Sequence, residues 1–103
     1  MSVPVPPATA FGLTGALAAW ADRQLTPQPY GAISTPVSLT GAWQTIPRKT
    51  FVRMTDYAAA HFDQAYELAS ADAGWTAIRR AGPHNVMMTE PDWFVGLLME
   101  HAL

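Results

Sequence analysis

Thr50-Phe51-Val52-Arg53-Met54-Thr55, then Phe62 to Ala71, then Trp75-Thr76-Ala77-Ile78-Arg79, is the stretch on which the fold turns. The first and third segments are short runs of β-branched and aromatic residues, which read as strands. Between them Phe62, Ala65, Tyr66 and Ala69 fall on one stripe at helical spacing. Gly74 follows this helix, and the turn Ala81-Gly82-Pro83-His84-Asn85 follows the second strand. A last helix comes next, with Thr89 as its expected N-cap, Pro91 early in the first turn and Asp92 as the capping-box acid. Trp93, Phe94, Leu97, Leu98 and His101 make the apolar side of that helix.

Strand, helix, strand, loop, helix is a βαβα unit of the α/β class, with parallel strands and a right-handed crossover expected. Two parallel strands form one ladder and leave two open edges, which invite pairing with another chain. Parallel sheets are normally covered by helices on both faces and continued by further strands. Residues 48–103 therefore read as the C-terminal part of a larger parallel sheet.

Upstream, residues 1–47 form a separate, proline-rich segment. Pro4, Pro6 and Pro7 predict an extended start. A helix fits Thr14 to Gln24, capped by Thr14, with Leu17, Trp20, Ala21 and Gln24 on one face. Pro27 and Pro29 stop it, because proline disfavours α geometry in the residue before it. Residues 26–47 carry four prolines and two glycines and read as a long connector, with a short strand at Val37–Leu39. A connector of that length is usually functional or wraps a larger body.

Composition narrows the function. Half of the 103 residues are hydrophobic and 14% are charged, enough apolar material for a core. The net charge is −2 and the six Lys and Arg residues are scattered, so neither a nucleic-acid stripe nor a polybasic membrane patch is expected. No cysteine is present, which excludes disulfides, thiolate metal sites and a cysteine nucleophile. The opening residues lack a secretory pattern and no apolar run is long enough to cross a bilayer, so a cytoplasmic location is the default expectation.

The chemistry-bearing candidate is His84. It sits in a turn directly after a predicted parallel strand, and open α/β sheets gather their reactive groups at the carboxyl ends of strands. An imidazole there can pass protons between a nucleophile and a leaving group, or simply bond the loop backbone. Asp56 directly follows the neighbouring strand, so its carboxylate could reach one nitrogen of His84, fix the tautomer and stabilise the imidazolium. Asp63 is a weaker substitute, placed to serve as an acid at a helix N-terminus. Met87 and Met88 could line an acyl pocket or fill the core. No two histidines share metal-ligand spacing, so neither a metal nor any other cofactor is expected.

Ile46-Pro47-Arg48-Lys49-Thr50-Phe51-Val52-Arg53-Met54-Thr55, Phe62-Asp63-Gln64-Ala65 and Ala81-Gly82-Pro83-His84-Asn85-Val86-Met87-Met88-Thr89-Glu90-Pro91 resemble the end of the α/β-hydrolase esterases. They are similar in style to bacterial relatives of plant methyl-ester esterases and hydroxynitrile lyases. Phe11-Gly12 and Trp20 to Pro27 resemble the return from cap to core in the same proteins. The resemblance implies that His84 is the catalytic histidine and Asp56 the triad acid, although the family often has one more residue before its acid, which would fall on Tyr57. It also implies residues 1–47 as a cap-to-core return and 48–103 as the C-terminal part of the hydrolase core. The family's nucleophile elbow, Gly-x-Ser-x-Gly, is missing: Ser2, Ser34, Ser38 and Ser70 lack glycines at that spacing. Chain order in this fold is Ser, Asp, His, so the expectation is a C-terminal portion, inactive alone. Its partner would be an N-terminal hydrolase portion carrying the serine, and its substrate a small ester. The rival expectation is a non-catalytic module that self-associates through its sheet edge.

Overall fold

The computed structural model describes residues 1–102. Its centre is a two-stranded parallel sheet, β3 (Lys49–Met54) and β4 (Trp75–Arg80), in register from Lys49 opposite Trp75 to Met54 opposite Arg80. The crossover between them is helix α3 (Ala60–Ser70), which packs on both strands. Its inward residues are Phe62, Ala65, Tyr66 and Ala69, the stripe that the 3.6-residue period predicts.

The second face of the sheet belongs to helix α5 (Pro91–His101). Thr50 Oγ1 on β3 lies 3.4 Å from His101 Nδ1 on α5. At the other end of the helix, the Arg80 guanidinium sits 4.0 Å from the centre of the Trp93 ring. The described residues therefore form a mixed α/β arrangement around a parallel sheet two strands wide.

Several local expectations differ from what forms. Val37–Leu39 makes no strand; the connector instead holds β2 (Gln28–Pro29), a one-turn helix α2 (Tyr30–Ser34) and a 3-10 turn at Ala42–Thr45. β2 pairs antiparallel with β1 (Ser2–Val3), so the proline-rich start is tied into a small ladder. Thr89 is not a cap but the last residue of a short helix, α4 (Val86–Thr89), and α5 starts after Glu90 with Pro91 in its first turn. The capping box of Thr89 and Asp92 does not form, because Thr89 closes α4 and its hydroxyl donates to the Val86 carbonyl at 3.4 Å; the Glu90 carboxylate beside it is held by Arg80 in a two-pronged ion pair at 2.7 and 2.9 Å.

Helix α1 (Gly15–Gln24) follows Thr14 as expected, but the Thr14 hydroxyl makes no capping bond. Its buried face is Ala18 and Ala21, whereas Trp20 is about half exposed. The small side chains lie inward because Ala8 and Leu13 press close against them, and Leu17 and Met88 complete this cluster. Asp22 on α1 accepts a 2.7 Å hydrogen bond from the Ala8 N–H and so fixes the 3-10 turn Ala8–Phe11.

Candidate functional site

The loops that follow β3 and β4 run side by side. The Thr55 N–H donates to the Arg80 carbonyl at 2.9 Å, and the Asp56 N–H donates to the Gly82 carbonyl at 3.2 Å. The second bond continues the interstrand ladder past the regular strand pairing and sets the Asp56 backbone two residues from His84. Asp56 and His84 thus share one end of the sheet.

Three aromatic rings surround His84. Tyr57 is closest, with ring centres 4.5 Å apart, Phe62 stacks at 5.7 Å with the planes only 10° apart, and Phe11 lies at 5.8 Å. Each ring comes from a different element: the loop after β3, the first turn of α3, and the turn before α1. The Phe11–Gly12 turn closes on the histidine loop because Gly12 has no side chain. A Cβ there would stand 2.5 Å from Pro83 Cβ, and the backbone has φ +87°, which L-residues rarely adopt.

The Asp56 carboxylate does not reach the imidazole. Among the described residues, neither His84 nitrogen makes a hydrogen bond to a side chain, and no carboxylate lies within 4.0 Å of it. Tyr57 provides the contact instead, placing its ring on the histidine while its carbonyl is used elsewhere. Asp63, the substitute acid, is also engaged elsewhere: its Oδ1 accepts from Arg53 Nε at 2.8 Å. Met87 is exposed, and Met88 packs against the Leu13 cluster. Neither methionine is among the residues lining the cleft of about 130 Å³ between β3, Phe62 and His84.

Arg53 is the residue that sequence reading missed. Only 5% exposed, it is the one charged side chain buried among the described residues. Its guanidinium donates to Asp63, to the Met54 carbonyl and, at 2.7 Å, to the Tyr57 carbonyl, while passing 5.8 Å from the Phe62 ring. One cation therefore ties together the end of β3, the Asp56–Tyr57 loop and the first turn of α3. The available signal was an arginine among the apolar residues Phe51, Val52 and Met54, ten residues before an aspartate at a helix start.

The chemistry open to this arrangement is proton transfer by His84, whose ring is oriented by aromatic contacts alone and whose nitrogens are not committed to a protein side chain. No group of three or more metal-binding side chains occurs among the described residues, and no helix among them is long and apolar enough to cross a membrane. No protein-family model, curated protein or solved structure matches the chain.

Proposed function

We propose that this chain is the C-terminal portion of a serine hydrolase acting on small carboxylic esters in the cytoplasm, and that it supplies the histidine of the triad. The observation that carries the reading is the shared position of Asp56 and His84 at the carboxyl ends of adjacent parallel strands, joined by the Asp56 N–H to Gly82 carbonyl bond. That is where reactive groups collect in open α/β sheets.

In the proposed cycle His84 takes the proton from a serine hydroxyl as the serine attacks the ester carbonyl, then returns a proton to the departing alcohol. Water repeats the sequence to release the acid. The serine would lie on a missing or separate N-terminal part, because none of the serines here sits in a Gly-x-Ser-x-Gly elbow. Asp56 takes up its bond to His84 when that part packs against this end of the sheet and displaces the Tyr57 ring.

A second reading, a non-catalytic module, is favoured by the open distance between Asp56 and His84 in the chain by itself. The two separate on one experiment. The sample is treated with a fluorophosphonate serine probe and weighed by intact-mass spectrometry, with and without His84→Ala. The hydrolase reading expects an adduct on a companion polypeptide, with ester turnover lowered at least about a thousandfold by His84→Ala and assembly unchanged. Turnover that ignores the substitution excludes His84 from the chemistry.

A further inference from the structure

The end of the sheet opposite to His84 carries a second cleft, which the hydrolase reading does not use. Lys49 and Trp75 are the first residues of β3 and β4 and stand opposite each other in the ladder. The 3-10 turn Ala42–Thr45 reaches this end and sets the Trp43 ring edge-on to that of Trp75, with centres 6.4 Å apart and planes at 65°. The turn from Asp72 to Gly74 forms the other wall. Its Gly74 N–H donates to Asp72 Oδ1 at 2.8 Å, and the Trp75 N–H donates to the Asp72 carbonyl at 3.1 Å. The space enclosed is about 370 Å³, near the lower end of the range for small-molecule sites.

Two opposite charges share this cleft without neutralising each other. The Lys49 ammonium and the Asp72 carboxylate flank Gly74, 3.5 and 3.3 Å from the position that its Cβ would take, yet they are more than 4.0 Å apart and form no ion pair. Lys49 donates instead to the Ile46 carbonyl at 2.7 Å, with its ammonium 5.7 Å from the centre of the Trp75 ring. An ammonium has three N–H donors and a carboxylate two oxygens, so both groups keep capacity for another molecule. Gln44 lines the same space, and its amide brings one more donor and acceptor.

Each class of ligand makes a different demand on this set. An anion is attracted by Lys49 and repelled by Asp72, and a cation the reverse, so neither sign of net charge is favoured. A wholly apolar molecule would strip water from both charges and give nothing back. A sugar ring meets every group. Its C–H face covers an indole, and each hydroxyl both accepts and donates, so one can take a hydrogen from Lys49 while its neighbour gives one to Asp72.

We infer that this cleft binds a neutral hexopyranose, laid on the Trp43 ring, which is 45% exposed, and bridging Lys49 and Asp72 through adjacent hydroxyls. The inference goes beyond the hydrolase reading and is independent of it, since the cleft and His84 lie at opposite ends of the strands.

The test is an NMR titration of the full chain with the methyl glycosides of glucose, galactose and mannose, following the indole N–H signals of its four tryptophans. At least one glycoside is expected to move Trp43 and Trp75 along a saturable curve with a Kd of about 1 mM, ordinary for a ligand of roughly 13 heavy atoms, and to leave Trp20 and Trp93 in place. Asp72→Asn keeps an oxygen for the Gly74 N–H and should weaken binding about tenfold or more with unchanged circular dichroism. Gly74→Ala puts a methyl between the ammonium and the carboxylate at a position without positive φ, and it should weaken binding as well. Four results overturn the inference. One is the absence of a saturable shift with any of the three glycosides. Another is an equal shift of all four indoles, the mark of a general solvent effect. A third is unchanged affinity in both variants, which would put the sugar elsewhere. The last is saturation by 4-aminobutyrate and by no glycoside, which would make the ligand a zwitterion held between the two charges.

Discussion

Arg53 shows how one side chain can organise a functional loop without touching the reacting group. Its three acceptors come from three places, Met54, Tyr57 and Asp63, and two of its neighbours, Tyr57 and Phe62, are rings that pack on His84. Arg53→Met keeps the bulk and leaves two carbonyls without donors. The Asp63 carboxylate, 61% exposed, is rehydrated and adds little to the cost. A loss of about 2 kcal/mol in urea unfolding is expected, with about half recovered in Arg53→Lys, whose single ammonium cannot reach every acceptor. In the same variants the His84 ring protons should move towards their unstacked chemical shifts. A stable Arg53→Met protein with unmoved His84 signals would show that the guanidinium does not support the aromatic cluster. Little of this was legible from local patterns: an arginine inside a strand reads as a solvent-facing position unless it is matched with the aspartate ten residues on, and Phe11 meets His84 only through long-range packing.

At the scale of elements, what could be read and what could not divide along one line. β3 and β4 are β-branched and aromatic runs and α3 has a 3.6-residue period, and each of these local signals agrees with its neighbours. Residues 26–47 have no period, only prolines and glycines, and such residues say where the chain bends without saying what it pairs with. The β1–β2 ladder depends on residues far apart in sequence, Val3 and Gln28, and had no local signature. The start of α5 was misplaced for a different reason. Thr89, the expected cap, closes α4 and bonds the Val86 carbonyl, so the cap position passes to Glu90, whose carboxyl a hydrogen bond from the Arg80 guanidinium holds below the ordinary glutamate range. A carboxyl with a lowered folded-state pKa stabilises the protein above its unfolded pKa, and the contribution disappears as pH falls through the lowered value. Thermal unfolding from pH 7 down to pH 3 should therefore show a small acid-side loss, blunted in Glu90→Gln and by added salt, since the pair is open to solvent. An identical acid profile in Glu90→Gln would exclude the pair as its source.

The whole molecule is wider than its length predicts. Its radius of gyration is 16.0 Å, where a compact chain of this size is about 13 Å. The extra reach accompanies the connector: every residue from 22 to 40 is exposed, including Tyr30, Ile33, Val37 and Leu39, and among the described residues only Leu13 is a large side chain in full burial. Chymotrypsin at low ratio should cut first in this segment, after Tyr30 or Leu39, well before it touches the residues of β3, α3 and β4, as mass spectrometry of the early fragments would show. First cleavage inside β3–β4 would mean that the sheet, not the connector, is the weaker part.

The way Arg53 is used also bears on how the chain survives after synthesis. Thr50-Phe51-Val52-Arg53-Met54-Thr55 is a six-residue window of high β propensity containing a single charge, and that charge faces Asp63 and the end of the strand. The residue that would act as a gatekeeper against fibril-like stacking is thus occupied elsewhere, and the segment beside it is bare. At high concentration this window is therefore where copies of the chain would first stack on one another, and aggregation should start there before it involves the helices.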